Sequence, residues 1–308
     1  MDVPFVWIDV FAERALAGNP LPLVPDADAL SDEQLRAIAR EFNQSETTFL
    51  CRPTAPEADA RLRSFTPAGV EVGGAGHNAM GAWIWLAGSG RLDPGRDAFV
   101  QQIGDDLLPL RVSTVDGVVR VTMEQSPPRF PGRFADREAL AAALGLPADG
   151  VAPDGLAADG LAAHGLAANR RPEVGDTGAE HLLVPATTRE AVDAAVPDHA
   201  ALRAVLAAAG GEGCYLYTTA VDPSSGTHAY ARFFNPTVGI AEDPATGTAA
   251  GPLAALLVRD GLAAAGSPVV IEQGRSMGRP SRIVVTVDGD RVALTGSGVV
   301  AAEGTLFL

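Results

Sequence analysis

The chain has 308 residues, of which 47% are hydrophobic and 20% are charged, and its net charge at pH 7 is −15. At roughly 150 residues per domain this length predicts two domains, and the apolar share is enough for sizeable cores. The negative charge argues against nucleic acids and anionic membrane surfaces as partners, because both need clusters of Lys and Arg. A small anionic substrate is compatible with it, since helix N-termini bind anions locally.

The N-terminal segment predicts a strand rather than a signal peptide, because it lacks a basic region followed by an apolar run and a cleavage site. No apolar run reaches the ~18 residues of a membrane helix. We therefore expect a soluble, cytoplasmic protein. The two cysteines, Cys51 and Cys214, form no CxxC motif and fit no zinc spacing. They predict free buried thiols and no metal site.

Short strands and a few helices are predicted along the first half. A helix is expected over 31–42, because Ser31 and Gln34 form a capping box ahead of an apolar stripe. A second helix is expected over 77–87. Asp116-Gly117 predicts a hairpin turn. The predicted strands cover 5–11, 21–24, 47–50, 60–65, 98–103, 107–113 and 118–124.

The second half repeats this alternation after a Pro-rich segment, 126–132, that predicts a linker. Helices are expected over 136–144 and 247–258, although Pro252 conflicts with the latter unless it lies in the first turn. The predicted strands cover 181–184, 214–220, 227–234, 269–273, 282–287, 291–295 and 298–302. Residues 154–168 repeat with a period of five, which fits neither helix nor strand and predicts a low-complexity surface insertion.

Two Gly-rich stretches, 71–81 and 241–251, share one design: small residues and a polar side chain just before a predicted helix. The N–H groups at a helix start lack internal partners and bear partial positive charge. Two such ends facing each other would hold a carboxylate and place acidic side chains beside it. The pattern therefore predicts a catalyst for a small anionic molecule.

Three side chains are candidates for acid/base chemistry. Glu46 follows the helix predicted over 31–42 and lies between Phe42 and Phe49. Partial desolvation by these apolar neighbours would raise its pKa toward the value of a useful acid/base. His77 begins a helix and could donate a hydrogen bond or relay a proton. Asp243 precedes another helix start. Each has a simpler interpretation that stays open here. Glu46 fits an exposed cap or ion-pair partner, His77 fits a helix-capping histidine, and Asp243 fits an ordinary acid at a helix N-terminus.

The Gly247 amide and the Thr248 hydroxyl could bind an anion or merely cap their helix. Gly74-x-Gly76-x-x-Ala79 formally matches a dinucleotide fingerprint. The strand before it is too short and no acidic residue ends a strand about 20 residues on, which disfavours NAD or FAD. No Walker A, GxSxG or HExxH motif is present.

Several short motifs follow one another in a fixed order along nearly the whole chain. They are Ile8-Asp-Val-Phe11, Ala17-Gly18-Asn19-Pro20, Gln44-Ser-Glu46-Thr-Thr-Phe49, Phe65-Thr66-Pro67, Gly76-His77, Glu242-Asp243-Pro244-Ala-Thr246-Gly247-Thr248, Glu272-Gln-Gly274 and Met277-Gly-Arg-Pro-Ser281. With these motifs the chain resembles the PhzF-like family of phenazine-biosynthesis isomerases. It departs from the family at Asn78-Ala79 after the Gly-His pair, which leaves the substrate open, and at the five-residue repeats, which predict an insertion.

The resemblance implies an α+β fold of the diaminopimelate epimerase type, with two pseudo-symmetric domains and the site in the cleft between them. Each domain is a curved, mostly antiparallel sheet around a central helix. We expect the first to cover 1–125, completed by the last strand, 298–308. The second is expected over 133–297, with the insertion at 154–168.

The resemblance also assigns roles to the candidates. Glu46 becomes the catalytic acid/base, with His77 and Asp243 orienting the substrate or relaying protons. The substrate-binding set comprises Asn19, Gly76, Asn78, Gly247 and Thr248. No cofactor is implied, and a homodimer is common in the family.

Thiol chemistry is disfavoured. Epimerases of this fold use one cysteine at each of the two helix starts, and those places are Gly76 and Thr246 here. We therefore expect an isomerase that moves a proton and a double bond within a small unsaturated amino or hydroxy acid, in specialised biosynthesis. A non-catalytic binding protein for an anionic metabolite is the alternative, and an amino-acid epimerase is less favoured.

Overall fold

The protein is represented by a computed structural model that describes residues 1–146 and 170–308. The five-residue repeats, 154–168, lie outside the described residues, and so does the insertion expected there. The chain divides into two compact units. Unit 1 comprises Met1–Glu124, Arg279–Arg282 and Leu294–Leu308, and unit 2 comprises Gln125–Gly278 and Ile283–Ala293.

The elements before the middle of the chain are β1 (Asp2–Val10), β2 (Asn19–Val24), α1 (Asp32–Phe42), β3 (Thr47–Cys51), β4 (Ala60–Phe65), β5 (Glu71–Val72), α2 (His77–Gly88), β6 (Ala98–Ile103), β7 (Asp106–Val115) and β8 (Val118–Gln125). Those that follow are β9 (Arg129–Arg133), α3 (Arg137–Ala143), β10 (Glu173–Asp176), β11 (Glu180–Pro185), α4 (Arg189–Ala194), α5 (His199–Ala209), β12 (Gly213–Thr218), β13 (Ala229–Asn235), β14 (Ile240–Asp243), α6 (Gly247–Arg259), β15 (Pro268–Gln273), β16 (Ser281–Asp288), β17 (Arg291–Gly296) and β18 (Gly298–Phe307).

Unit 1 is a mixed sheet around α2. Strand β1 pairs antiparallel with both β18 and β2, β2 runs parallel to β3, and β6, β7 and β8 form an antiparallel meander. Helix α2 contacts β1, β2, β3, β7 and β18, and most of its residues are buried. A helix that is apolar on all sides needs such an enclosure, because no face of it is suited to water. Helix α1 instead is amphipathic and packs its buried side chains, including Leu35 and Ile38, against Phe49 and Phe65.

Unit 2 is also a mixed sheet, with α6 as its buried helix. Strand β10 pairs antiparallel with β9 and β11, β11 runs parallel to β12, and β12 pairs antiparallel with β13. Helix α6 contacts β10 and β11. Helices α3 and α5 contribute Leu140, Leu202 and Leu206 to a separate apolar cluster with strand residues Leu182 and Leu216.

The same pairing pattern occurs in both units. In unit 1 a parallel pair (β2 and β3) is followed by antiparallel β4, a short antiparallel strand, the buried helix, and a strand parallel to β4. In unit 2, β11, β12, β13, β14, α6 and β15 repeat that order. The fold is therefore α+β with two pseudo-symmetric halves, as the family resemblance implies.

Local signals predicted most elements well. Ser31 caps α1 through the expected reciprocal pair of hydrogen bonds with Gln34, of 2.9 and 3.3 Å. Asp116 and Gly117 both have positive φ between β7 and β8, as a type I′ hairpin requires. Pro252 does lie inside α6, beyond its first turn, so the expected conflict is real and the helix continues through it.

The prediction of a linker over 126–132 is wrong. Residues Arg129–Arg133 form β9, which pairs antiparallel with β10. The Pro and Gly content suggested an irregular segment, but the pairing partner lies far along the chain and no local signal reveals it. Strand β10 and helices α4 and α5 were likewise not anticipated.

Candidate active site

Glu46 lies in the short connection between α1 and β3. Helix α1 ends where Asn43 adopts a left-handed conformation, and its N–H bonds to Ala39 O at 3.1 Å. The turn directs the chain into β3 and leaves the Glu46 side chain only 19% exposed. Burial raises the pKa of this carboxyl from 4.5 to about 7, and a hydrogen bond with Ser45 offsets a smaller part. This agrees with the desolvation expected from the sequence.

His77 is the first residue of α2, and its ring meets Glu46. Its Nε2 lies 3.3 Å from Glu46 Oε2, and both side chains are largely buried. A carboxyl whose pKa is near neutrality and an imidazole at this distance can exchange a proton or present two protonatable atoms to one reacting molecule. The structure thus places two of the three predicted acid/base groups together.

Asn78 holds the glycine-rich loop before α2. Its Oδ1 accepts a 2.7 Å bond from Gly76 N, and its Nδ2 donates to Ser64 Oγ at 3.1 Å and to Gly74 O at 3.0 Å. Both ends of the carboxamide are therefore engaged within the protein, and so is the Gly76 N–H. Substrate binding by Asn78 and by the Gly76 amide stays a prediction, and the observed bonds give both groups a role in shaping the loop.

Asn19 begins β2 and is buried. The preceding Gly18 has φ +67°, and a Cβ there would lie 2.2 Å from Val10 O, so only glycine fits. Arg279 holds this turn: its Nε donates to Gly18 O at 2.8 Å and its Nη2 to Asp9 Oδ1 at 2.6 Å. Asp9 is itself almost fully buried. The Asn19 turn is therefore a rigid element of unit 1.

Asp243, the last residue of β14, belongs to a buried polar network in unit 2. Thr246 Oγ1 donates to Asp243 Oδ2, while Gln273 Nε2 donates to Asp243 O at 2.7 Å and to Thr246 Oγ1 at 3.0 Å. Gln273 Oε1 accepts from Tyr215 OH at 2.9 Å and from Thr246 N at 3.2 Å. Burial, followed by the nearby charge of Asp243, raises the pKa of Tyr215 and keeps it a donor. The network fixes which way the Thr246 hydroxyl points.

The start of α6 presents Gly247 and Thr248. Gln125 Nε2 donates to Gly247 O at 3.0 Å, and Gln125 Oε1 accepts from Thr177 Oγ1 at 3.0 Å. Thr248 Oγ1 lies 3.0 Å from His181 Nε2. These contacts hold the first turn of the helix in place, and the first N–H groups of any α-helix have no partner within it.

The starts of α2 and α6 differ from those of the other α-helices within 1–146 and 170–308. Side chains cap α1, α3, α4 and α5 by accepting from backbone N–H groups of their first turns. The N-caps of α2 and α6, Gly76 and Thr246, make no such bond. An uncapped helix start retains its capacity to bind an anion, which is consistent with the carboxylate cradle predicted from the sequence.

Neither helix start bears a cysteine, since the N-cap positions are Gly76 and Thr246. Cys51 ends β3 and Cys214 lies in β12, and both are free. Burial raises the pKa of both thiols, which keeps them protonated and poorly nucleophilic. Neither helix start therefore supplies a thiol, and the acid/base groups found together are the Glu46 carboxyl and the His77 imidazole.

Known proteins that are similar to this chain identify its family. The family model of phenazine biosynthesis-like proteins (PhzC-PhzF) matches residues 8–304. The chain belongs to this family. A trans-2,3-dihydro-3-hydroxyanthranilate isomerase of Pseudomonas aeruginosa is 34% identical over 312 residues, covering 99% of both chains. With uncharacterized isomerases among its other relatives, including one of Bacillus subtilis at 30% identity over 97% of this chain, the protein is an isomerase of this family.

Solved structures confirm the fold. A PhzF-family protein of Bacillus anthracis covers 100% of both chains with a TM-score of 0.87 at 24% identity. A probable proline racemase of Agrobacterium radiobacter covers 99% of this chain and 93% of its own, with a TM-score of 0.62 at 13% identity. The two-domain epimerase-like fold is therefore confirmed.

Sequence reasoning assigned no role to several residues that shape these sites. Gln273 and Arg279 lie inside motifs that carry the family resemblance, but the motifs do not reveal the hydrogen bonds that these residues make. Tyr215, Gln125 and His181 occupy ordinary strand positions or strand ends. Their partners are distant in the chain, and no local pattern indicates them.

No helix in the described ranges is long and apolar enough to cross a membrane.

Proposed function

We propose that this protein is a cofactor-independent isomerase that moves a proton and a double bond within a small unsaturated amino or hydroxy acid. The observation that carries the proposal is the buried Glu46 carboxyl, with a pKa of about 7, facing the His77 ring at 3.3 Å. Trans-2,3-dihydro-3-hydroxyanthranilate, the substrate named for the Pseudomonas relatives, is the first compound to test.

Glu46 supplies the proton transfer in this proposal. As a carboxylate it removes a proton from a carbon acidified by the neighbouring unsaturation, and as a carboxylic acid it returns that proton to another carbon. The electron pair of the broken C–H bond forms the new double bond as the old one shifts, so atoms and charge balance. A pKa near the working pH suits both directions, since each protonation state is well populated.

His77 and the first turn of α6 orient the substrate. The His77 ring lies where it can stabilise the charge that develops beside Glu46. The uncapped start of α6, with Thr248 on its first turn, provides donors for the substrate carboxylate, and Asp243 engages a polar group of the substrate. Holding substrate and base in a defined geometry contributes much of the rate enhancement.

Two other functions use the same fold. A binding protein would retain the donors at the helix starts without needing a carboxyl of raised pKa, so the Glu46 environment argues against it. An epimerase that uses paired thiols would need a cysteine at each of the two helix starts, and the N-caps of this protein are Gly76 and Thr246. A cytoplasmic location, a role in phenazine-type or related biosynthesis, and a homodimer complete the proposal.

Deuterium exchange separates these functions. The protein is incubated with trans-2,3-dihydro-3-hydroxyanthranilate in D₂O, and proton NMR follows both the shift of the double bond and the uptake of deuterium. Glu46→Gln should lower the rate by at least ~10²–10⁴-fold, the usual contribution of a positioned acid/base. Glu57→Gln, at an exposed position, is the matched control and should react like the wild type.

Each alternative has a distinct outcome. Wild-type rates in a folded Glu46→Gln variant would overturn the mechanism. Tight binding of this acid by the wild type without any exchange would favour the binding protein. Exchange confined to one stereocentre, with inversion and no double-bond shift, would favour an epimerase.

A further inference from the structure

His181 is a buried imidazole that the proposed chemistry leaves without a role. It lies in β11 with 3% of its surface exposed, and its Nε2 is 3.0 Å from Thr248 Oγ1. In the described structure its Nδ1 is buried and has no hydrogen-bond partner. Phe233 packs against the ring edge to face, with centroids 5.0 Å apart. On the Nδ1 side the backbone of Gly213 is so close that a Cβ there would lie only 3.3 Å from Nδ1.

The ring is neutral at physiological pH. Burial lowers its pKa from 6.5 to about 4, and the opposing influence of the Asp176 carboxylate is weaker. A neutral imidazole has a single N–H, on Nε2 or on Nδ1, and the other nitrogen is an acceptor. Which nitrogen holds the proton therefore decides what the Thr248 hydroxyl can do.

The two tautomers have different consequences for Thr248. With the proton on Nδ1, that buried N–H would lack an acceptor, and Nε2 would take the hydroxyl proton of Thr248 for itself. Thr248 would then offer only lone pairs to a substrate anion. With the proton on Nε2, the ring donates to Thr248 Oγ1 and the hydroxyl proton stays available. Orphaned buried N–H groups are rarer than orphaned acceptors, which favours the second arrangement.

We propose that His181 is a positioning residue, which donates from Nε2–H to Thr248 Oγ1 and so directs the Thr248 hydroxyl proton toward the carboxylate of the substrate. The proposal rests on the proposed function in one respect, namely that Thr248 helps to bind that carboxylate. His181 itself touches neither the substrate nor the reacting atoms. Its contribution is to substrate binding rather than to proton transfer.

Steady-state kinetics with trans-2,3-dihydro-3-hydroxyanthranilate test the binding role. His181→Phe removes the donor and should raise KM about 2- to 12-fold, the range expected for one hydrogen bond between neutral groups, with kcat changed less. His181→Gln, whose carboxamide can still donate, should recover most of the loss. Thr248→Val removes the hydroxyl itself and should raise KM at least as much as His181→Phe, and the double variant should be no worse than Thr248→Val alone.

A second readout needs no turnover. Long-range proton–nitrogen correlation NMR of protein labelled with ¹⁵N-histidine reports the tautomer of each ring, and the His181 signal is the one lost in His181→Gln. We expect a neutral ring protonated at Nε2, unchanged between pH 8 and pH 6. A ring protonated at Nδ1, or an imidazolium in this range, would overturn the proposal.

The two proposals fail separately. If Glu46→Gln stays fully active while His181 is protonated at Nε2, the proton-transfer mechanism fails and the His181–Thr248 bond stands. If Glu46→Gln is inactive but His181→Phe leaves KM unchanged in a protein of normal circular dichroism, the positioning role is wrong.

Discussion

Replacing Glu46 with glutamine should make the protein more stable above neutral pH while lowering turnover by at least ~10²-fold. The carboxyl is buried, and its pKa is raised from 4.5 to about 7. A raised carboxyl pKa means that the folded state holds the proton more tightly than the unfolded state does. Between pH 4.5 and 7 the unfolded chain has lost this proton and the folded protein has kept it, so wild-type stability falls as the pH rises.

The size of the effect follows from the two pKa values. A change from 4.5 to about 7 corresponds to roughly 3 kcal/mol at about 1.36 kcal/mol per pH unit. This is an upper value, because the side chain keeps 19% exposure and glutamine must also be accommodated there. The advantage of Glu46→Gln should be close to zero below pH 4.5, grow through pH 7, and remain constant above it.

Urea unfolding of wild type and variant at half-unit steps from pH 4.5 to 8.5 measures this difference. Glu57→Gln removes a negative charge from an exposed position and should give no comparable pH-dependent gain. Equal unfolding free energies of wild type and Glu46→Gln at pH 8 would refute the argument that Glu46 is held in a desolvating environment. A gain that is already full at pH 5 would contradict the raised pKa.

Three further substitutions test other parts of the structure. Gly251→Ala would place a Cβ 1.9 Å from Gln125 Oε1, so thermal unfolding should show that the free energy of unfolding falls by ~1–3 kcal/mol. The control Gly88→Ala adds its Cβ in open space and should be neutral or stabilising. Equal behaviour of the two variants would contradict this packing. Tyr215→Phe removes the donor to Gln273 Oε1, and urea unfolding should show a loss of ~0.5–1.5 kcal/mol together with a lower kcat; unchanged kcat would disconnect the network from catalysis. Replacing both cysteines with alanine should leave the exchange rate within a few-fold of wild type, and complete inactivation of a folded variant would revive a thiol mechanism.

Local pattern was sufficient for most elements and for the main candidates. The capping box of Ser31, the Asp116-Gly117 turn and the periodicities of α1 and the strands depend on neighbours a few residues apart, so the sequence alone indicates them. The family resemblance marked Glu46 and His77 in the same way, as short motifs. Strand β9 was missed because its pairing partner β10 lies far along the chain.

The sequence by itself determined the isomerase family, the α+β class and the identity of the acid/base candidates, because these depend on residue types at short spacings. Only the tertiary structure decided that Glu46 is buried and that its Oε2 meets His77 Nε2. It alone joined His181 to Thr248, 67 residues further along the chain. Burial and long-range hydrogen bonds arise when distant segments pack together, and they set the pKa values and donor directions on which the chemistry depends.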